Sequence, residues 1–139
     1  MHRKTGLVTK LREHRGNAVV EMALIMPILL LLVFGITEFG RAWMTVNILQ
    51  TASREGARLA VVTAPDVNAV TARATAICDA AAVHNAIVTL TGPVANDPEN
   101  KVTVTVTATF TVVSGKVLDT MRGSFPLSAQ TTMRYEGGS

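Results

Sequence analysis

Residues 17–37 read NAVVEMALIMPILLLLVFGIT, and this stretch decides the architecture of the chain. Twelve of its 21 residues are Leu, Ile, Val or Phe, and Glu21 is its one charged residue. A helix of this length extends roughly 30 Å, the thickness of a bilayer's hydrocarbon core. The apolar side chains contribute on the order of −5 kcal/mol to insertion, which outweighs about 3 kcal/mol for an acid at mid-bilayer. We therefore predict a transmembrane helix over 17–37.

The residues before this helix are basic. Residues 1–16 carry five Lys or Arg residues against the single acid Glu13, whereas the remainder of the chain carries eight basic and nine acidic residues. Cytoplasmic flanks of membrane helices are enriched in Lys and Arg. We therefore expect 1–16 to be a cytoplasmic leader at the bacterial inner membrane and residues 38–136 to be an exported domain. The balanced charge of that domain argues against a nucleic-acid partner.

Helical periodicity continues beyond the membrane to about Val62. Pro27 should bend the membrane part of this helix because it removes one backbone hydrogen bond. Further along, Ala52, Gly56 and Ala60 recur at four-residue steps and form a ridge of small side chains. Such a ridge can admit a helix of another subunit in an assembly, or it can pack against the protein's own second helix, and the sequence favours the second alternative. Two opposite-charge pairs are expected on the wet face, namely Glu38 with Arg41 and Glu55 with Arg58.

The exported domain has the pattern of an α+β fold. Asp66 is a suitable N-cap for a second helix that extends to about Val83. A short strand is predicted over 86–90, a strand in which apolar residues alternate with Thr over 102–112, and a weaker one over 125–135. Turns are expected at 96–100 and around 115–123, and 137–139 should be a loose tail. The predicted fold is a three- or four-stranded antiparallel sheet with one face covered by both helices.

Residues that could support catalysis or bind a metal are sparse. His2 and His14 lie in the basic leader, and His84 stands alone. Asp97 and Glu99 flank a proline in a predicted turn, where solvated carboxylates are expected. Cys78 lies in an alanine-rich helical pattern and should be a small buried hydrophobe. We therefore predict no enzyme activity, no catalytic residue, no metal site and no cofactor.

The most specific feature lies at the start of the membrane helix, where Gly16 closes the leader and Glu21 follows five residues later. If the chain is cut after Gly16, Asn17 gains a free ammonium group about one helical turn from Glu21. A carboxylate at that depth could pair with the ammonium group of a neighbouring subunit and set its register. The simpler alternative places Glu21 in the headgroup zone, where helix N-termini favour acids. A cut after Gly35 by an ordinary signal peptidase, which would release a soluble domain, is a further alternative.

These residues also resemble a known family. The segment Gly16-Asn-Ala-Val-Val-Glu21-Met-Ala-Leu-Ile-Met-Pro27, followed by Glu38-Phe-Gly40-Arg41 and Ala52-Ser-Arg54-Glu-Gly56-Ala57-Arg58, is similar to the TadE-like family. Members of this family are minor pilins or pseudopilins of the tight adherence (Tad, or Flp type IVb) pilus system. The resemblance covers 16 to about 60, and one departure is Met22, where the family often has an aromatic residue.

The resemblance implies a pilin-like fold and a role in pilus assembly for surface attachment. It implies cleavage after Gly16 by a prepilin peptidase, with Glu21 acting in processing or in subunit registry. It also implies other Tad or Flp pilus and secretion subunits as partners, including a TadF-like minor pilin. The alternative function is that of an uncleaved anchored module that binds an envelope partner.

Overall fold

The structure is a computed structural model, and it describes residues 6–62, 66–92, 100–113 and 123–134, with side chains from residue 17 onward. Its elements are helix α1 (Gly6–Val62), helix α2 (Val67–Ala80), and strands β1 (Ile87–Thr91), β2 (Lys101–Thr111) and β3 (Ser124–Arg134). The chain divides into two compact units, Met1–Thr37 and Glu38–Ser139. The predicted α+β architecture, with a long apolar N-terminal helix, a second helix and a small antiparallel sheet, is confirmed.

In the first unit the described structure consists of α1 alone. The helix is continuous from Gly6 and includes Pro27, so it begins earlier than the stretch 17–37 predicted from the sequence. None of the residues in its most apolar 18-residue stretch is buried. Leu24 is 70% exposed and Ile28 is 68% exposed, which no water-facing helix of a soluble protein would present over its whole surface. One helix of the described chain is therefore long and apolar enough to span a membrane.

In the second unit, α2 begins where the sequence predicts. Asp66 has extended backbone dihedrals, and its carboxylate accepts a hydrogen bond from the Asn68 backbone nitrogen at 2.9 Å, as an N-cap does. The helix ends at Ala80, three residues earlier than expected. Ala82 adopts a positive φ of 57°, and the Val83 nitrogen donates to the Cys78 carbonyl oxygen at 2.8 Å, which closes the last turn.

The described sheet has three antiparallel strands in the order β1-β2-β3. Val106 in β2 lies opposite Val88 in β1 and Ala129 in β3, which sets the register of both pairs. Gly92, directly after β1, has a positive φ of 94°. A Cβ there would collide with the Lys101 carbonyl oxygen, so only glycine fits at this position. The predicted turn at 96–100 and loop at 115–123 lie almost wholly outside the described residues, as does the tail at 137–139.

The alternation of β2 has the predicted consequence for burial. Its even-numbered residues are buried and form the core with small residues of both helices. The buried apolar set is Leu49, Ala52, Ala57, Ala60, Val70, Ala74, Cys78, Val102, Val104, Val106, Ala108, Phe110 and Ala129. Residues from α1, α2, β2 and β3 thus share a single core. Small side chains on the helices allow close approach to the valines of the sheet.

Candidate functional site

The leader–helix junction is the first part of the candidate site. Gly16 and Asn17 both lie within α1, so the predicted cleavage point is helical in this structure. The side-chain nitrogen Nδ2 of Asn17 donates a hydrogen bond to Glu21 Oε1, one helical turn away, at 3.4 Å, and both side chains are exposed. Glycine destabilises a helix interior by about 1 kcal/mol relative to alanine. Gly16 is therefore a position of low helix propensity within α1.

The second part is the beginning of the second unit, where Glu38 does more than form the predicted helical ion pair. The distance from Glu38 Oε2 to Arg41 Nη1 is 2.7 Å, which confirms the predicted ion pair. Its other oxygen, Oε1, accepts a hydrogen bond from the Val113 backbone nitrogen at 2.7 Å. The Glu38 side chain is 16% exposed, so it is half-buried and only partly on the predicted wet face. Glu38 joins α1 to the residues that follow β2.

Arg41 adds a second contact between α1 and the end of the sheet. Its guanidinium carbon lies 5.1 Å from the centre of the Phe110 ring, within cation–π range. The Phe110 ring in turn lies 5.3 Å from the ring of Phe125 in β3. Sequence reasoning missed these contacts because no local pattern relates position 41 to positions 110 and 125.

The ridge of small residues is buried inside the domain. Ala52 and Ala60 have no exposed surface. A Cβ at Gly56 would lie 3.2 Å from Val104 Cγ1, 3.5 Å from Val70 Cγ1 and 3.7 Å from Ala74 Cβ. The ridge thus packs against the protein's own α2 and β2. This agrees with the alternative favoured from the sequence, in which the ridge contacts the second helix of the same chain. Its surface is not open to a helix of another subunit while the domain is folded.

A shallow groove runs between α1 and α2 beside this ridge. It encloses about 240 Å³ and is lined by Glu55, Arg58, Leu59, Val62 and Arg73. The ion pair of Glu55 is with Arg73 Nη2 of α2 at 3.5 Å, so the predicted pair with Arg58 is wrong. Glu55 therefore links the two helices instead of stabilising one of them. The sequence also did not reveal a contact between α1 and β3, the 2.7 Å hydroxyl–hydroxyl hydrogen bond between Ser53 and Thr131.

The remaining titratable residues do not form a catalytic arrangement among the described side chains. Cys78 is a buried free thiol, as predicted, and burial raises its pKa, with a further increase from the negative charge of Asp79. His84 is exposed, and its Nδ1 lies 3.6 Å from Asp79 Oδ1. The described residues contain no group of three or more His, Cys, Asp or Glu side chains placed to hold a metal ion. Asp97, Glu99 and His2 lie outside the described residues.

Taken together, the described elements define a pilin-like α+β class of protein whose N-terminal helix is long and apolar enough to span a membrane. The model of the family described as TadE-like protein matches residues 16–58. Over this stretch the chain is similar to the TadE-like family, so the resemblance predicted from the sequence is confirmed, and it implies a role in Tad pilus biogenesis. No curated protein and no solved structure matches the chain.

Proposed function

We propose that this protein is a minor pilin or pseudopilin that acts in assembly of a Tad (Flp) type pilus for surface attachment. The observation that carries the proposal is the family match over 16–58, which contains both the membrane helix and the Gly16–Glu21 element. In this proposal α1 crosses the inner membrane with the basic leader in the cytoplasm, and residues 38–136 lie on the periplasmic or extracellular side. The lipid bilayer is then the first partner of α1.

The exposed surface of α1 supports a function through lateral packing in the membrane. Its aliphatic side chains between Val19 and Val33 are exposed on all sides. Between such helices the driving forces are close packing and polar pairing, because lipid is as apolar as leucine. Glu21 offers a carboxylate for pairing near the helix start, and Pro27 offers a local bend. A prepilin peptidase, other Tad or Flp subunits and a TadF-like minor pilin are the partners that this function requires.

The N-terminus of the membrane-extracted protein tests the processing step directly. Intact mass and N-terminal sequencing should give a mature chain that starts at Asn17. A chain that keeps Met1 would favour a plain anchored module that binds an envelope partner. A chain that starts at Ile36 would show secretion of a soluble domain. Either of these two outcomes refutes processing as a pilin.

Glu21 provides the test of assembly. Glu21→Ala should abolish or strongly reduce pilus-dependent surface attachment, and Glu21→Gln should separate the need for charge from the need for a polar group. Glu55→Gln is a matched control, because Glu55 lies on the same helix but its exposed ion pair with Arg73 contributes little. If attachment and pilus assembly are the same in Glu21→Ala and in the control, Glu21 has no role in registry.

A further inference from the structure

Four exposed apolar side chains lie near one end of the exported domain, and we call them the apolar rim. Phe39 is 71% exposed, Trp43 63%, Val113 49% and Phe125 43%. Two belong to the first turns of α1 after the apolar stretch, one follows β2, and one is the second residue of β3. Phe39 and Trp43 stack on each other with ring centres 6.4 Å apart, which leaves their outer faces open.

Three contacts bring the strand ends beside the helix at this place. The Val113 nitrogen donates to Glu38 Oε1 at 2.7 Å. The Val112 nitrogen donates to the Gly123 carbonyl oxygen at 3.1 Å, which places the residue before β3 next to the end of β2. Arg41, stacked over Phe110 at 5.1 Å, extends the contact to the ring that touches Phe125. The end of β2 and the beginning of β3 are therefore both held close to Glu38.

Chain connectivity then relates the rim to the bilayer. Glu38 directly follows residue 37, the last residue of the apolar stretch. Where α1 spans the membrane, any group in hydrogen-bond contact with Glu38 lies within a few residues' length of the membrane surface. This step rests on the membrane-spanning role of α1 in the proposed function. It applies to Val113 as directly as it does to Phe39.

We infer that the apolar rim is a second lipid contact, in which the strand ends as well as the helix enter the interfacial layer of the bilayer. Aromatic side chains favour this layer because their rings tolerate both apolar chains and polar headgroups. Arg41, whose side chain is 46% exposed, supplies a cation suited to lipid phosphate at the same level. The occupant of the rim is thus the lipid of the membrane that α1 crosses.

The fluorescence of Trp43, the single tryptophan of the chain, gives the first measurement. The full-length protein is reconstituted into phosphatidylcholine vesicles with and without bromine on the acyl chains near the glycerol. Brominated lipid should cause a loss of Trp43 emission, whereas an aqueous quencher such as iodide should have little effect. This measurement locates the helix part of the rim but does not separate it from an ordinary membrane-helix end.

Spin labels test the strand part of the rim. In a Cys78→Ala background, single cysteines replace Val113 and Phe125, and Thr132→Cys is the matched control. Thr132 is also exposed on β3, seven residues and therefore about 23 Å from Phe125 along the strand. Labels at 113 and 125 should be more accessible to oxygen, which dissolves in lipid, than to a water-soluble nickel complex. The label at 132 should show the opposite order.

Each alternative outcome has a distinct meaning. If lipid quenches Trp43 but the labels at 113 and 125 behave like the control, the inference is overturned while α1 still spans the membrane. If both labels are immobilised and shielded from oxygen and nickel alike, another protein surface covers the rim, and the inference is again overturned. If Trp43 is not quenched and the protein does not partition with the vesicles, the membrane-spanning role itself fails.

Discussion

Gly56 is the position where the packing of α1 can be tested most severely, and Gly40 on the same helix is its natural control. Replacement of either glycine by leucine gains about 0.8 kcal/mol of helix propensity, because glycine costs about 1 kcal/mol relative to alanine. At Gly40 nothing lies within 4 Å of a new Cβ. At Gly56 the Cβ alone meets Val104 at 3.2 Å, and the further carbons of leucine would enter space held by α2.

The propensity gain is common to both variants, so the difference between them measures the packing conflict. Overpacking a filled core costs about 1–3 kcal/mol, and occasionally more. We therefore expect Gly40→Leu to be neutral or slightly stabilising, and Gly56→Leu to unfold with a free energy lower by about 1–3 kcal/mol than that of Gly40→Leu. In case Gly56→Leu does not fold at all, Gly56→Ala and Gly40→Ala give a milder pair with the same expected order.

Cys78 supplies the assay, because the single thiol of the chain is fully buried in the same core. Brief exposure of the full-length protein in detergent to a maleimide, over a series of urea concentrations, reports the fraction of unfolded domain by intact mass. The midpoint for Gly56→Leu should fall below that for Gly40→Leu. Equal midpoints, or a higher midpoint for the Gly56 variant, would refute the packing of α1 against α2 and β2 described above.

Three further outcomes are expected with the same urea assay or a circular dichroism readout. Leu49→Ala should lower the free energy of unfolding by about 2–5 kcal/mol because Leu49 is fully buried, whereas Met44→Ala, at an exposed position, should change it little. Asp66→Ala should lower it by about 1 kcal/mol through loss of the N-cap of α2, and Asp66→Asn should retain most of the cap. Burial raises the pKa of the Cys78 thiol, so the unfolded chain releases this proton at a lower pH than the folded chain does. The free energy of unfolding should therefore fall as the pH rises above the ordinary thiol range. Cys78→Ala, measured by circular dichroism, should lack this decrease.

The elements that could be predicted from the sequence are those specified by a local pattern. Alternation of apolar residues with Thr sets the buried face of β2. Of the residues predicted to face inward, those from Val102 to Phe110 are buried and Val112, just after the strand, is half-buried. Asp66 identifies the start of α2 because its carboxylate satisfies a backbone donor within two residues. The long apolar helix at the N-terminal side follows from composition alone. In each case the physical cause acts over a few neighbouring residues.

The parts that could not be predicted depend on contacts between distant residues. Glu38 is spaced for a pair with Arg41, and nothing in its surroundings along the chain indicates that Val113 shares its carboxylate. Glu55 has a suitable partner three residues later, yet its ion pair is with Arg73, because packing of α2 on α1 brings that cation to the groove. Ser53 lies between Ala52 and Arg54, and nothing in this local sequence indicates its hydrogen bond to Thr131.

The extent of the family match has a physical reading in this fold. Residues 16–58 contain the apolar stretch of α1 and the segment in which Glu38, Ser53 and Gly56 each contact a different part of the second unit. These positions need particular side chains: a carboxylate with two oxygens to share, a hydroxyl, and the absence of a Cβ. The sheet requires only that alternate residues of β2 be apolar and β-branched or small, a condition that many sequences satisfy. The helix is therefore where a sequence signature for this architecture is most sharply specified. Loss of Glu38, which follows the exposed apolar stretch of α1, should remove two separate contacts in the second unit, one with Arg41 and one with the Val113 nitrogen.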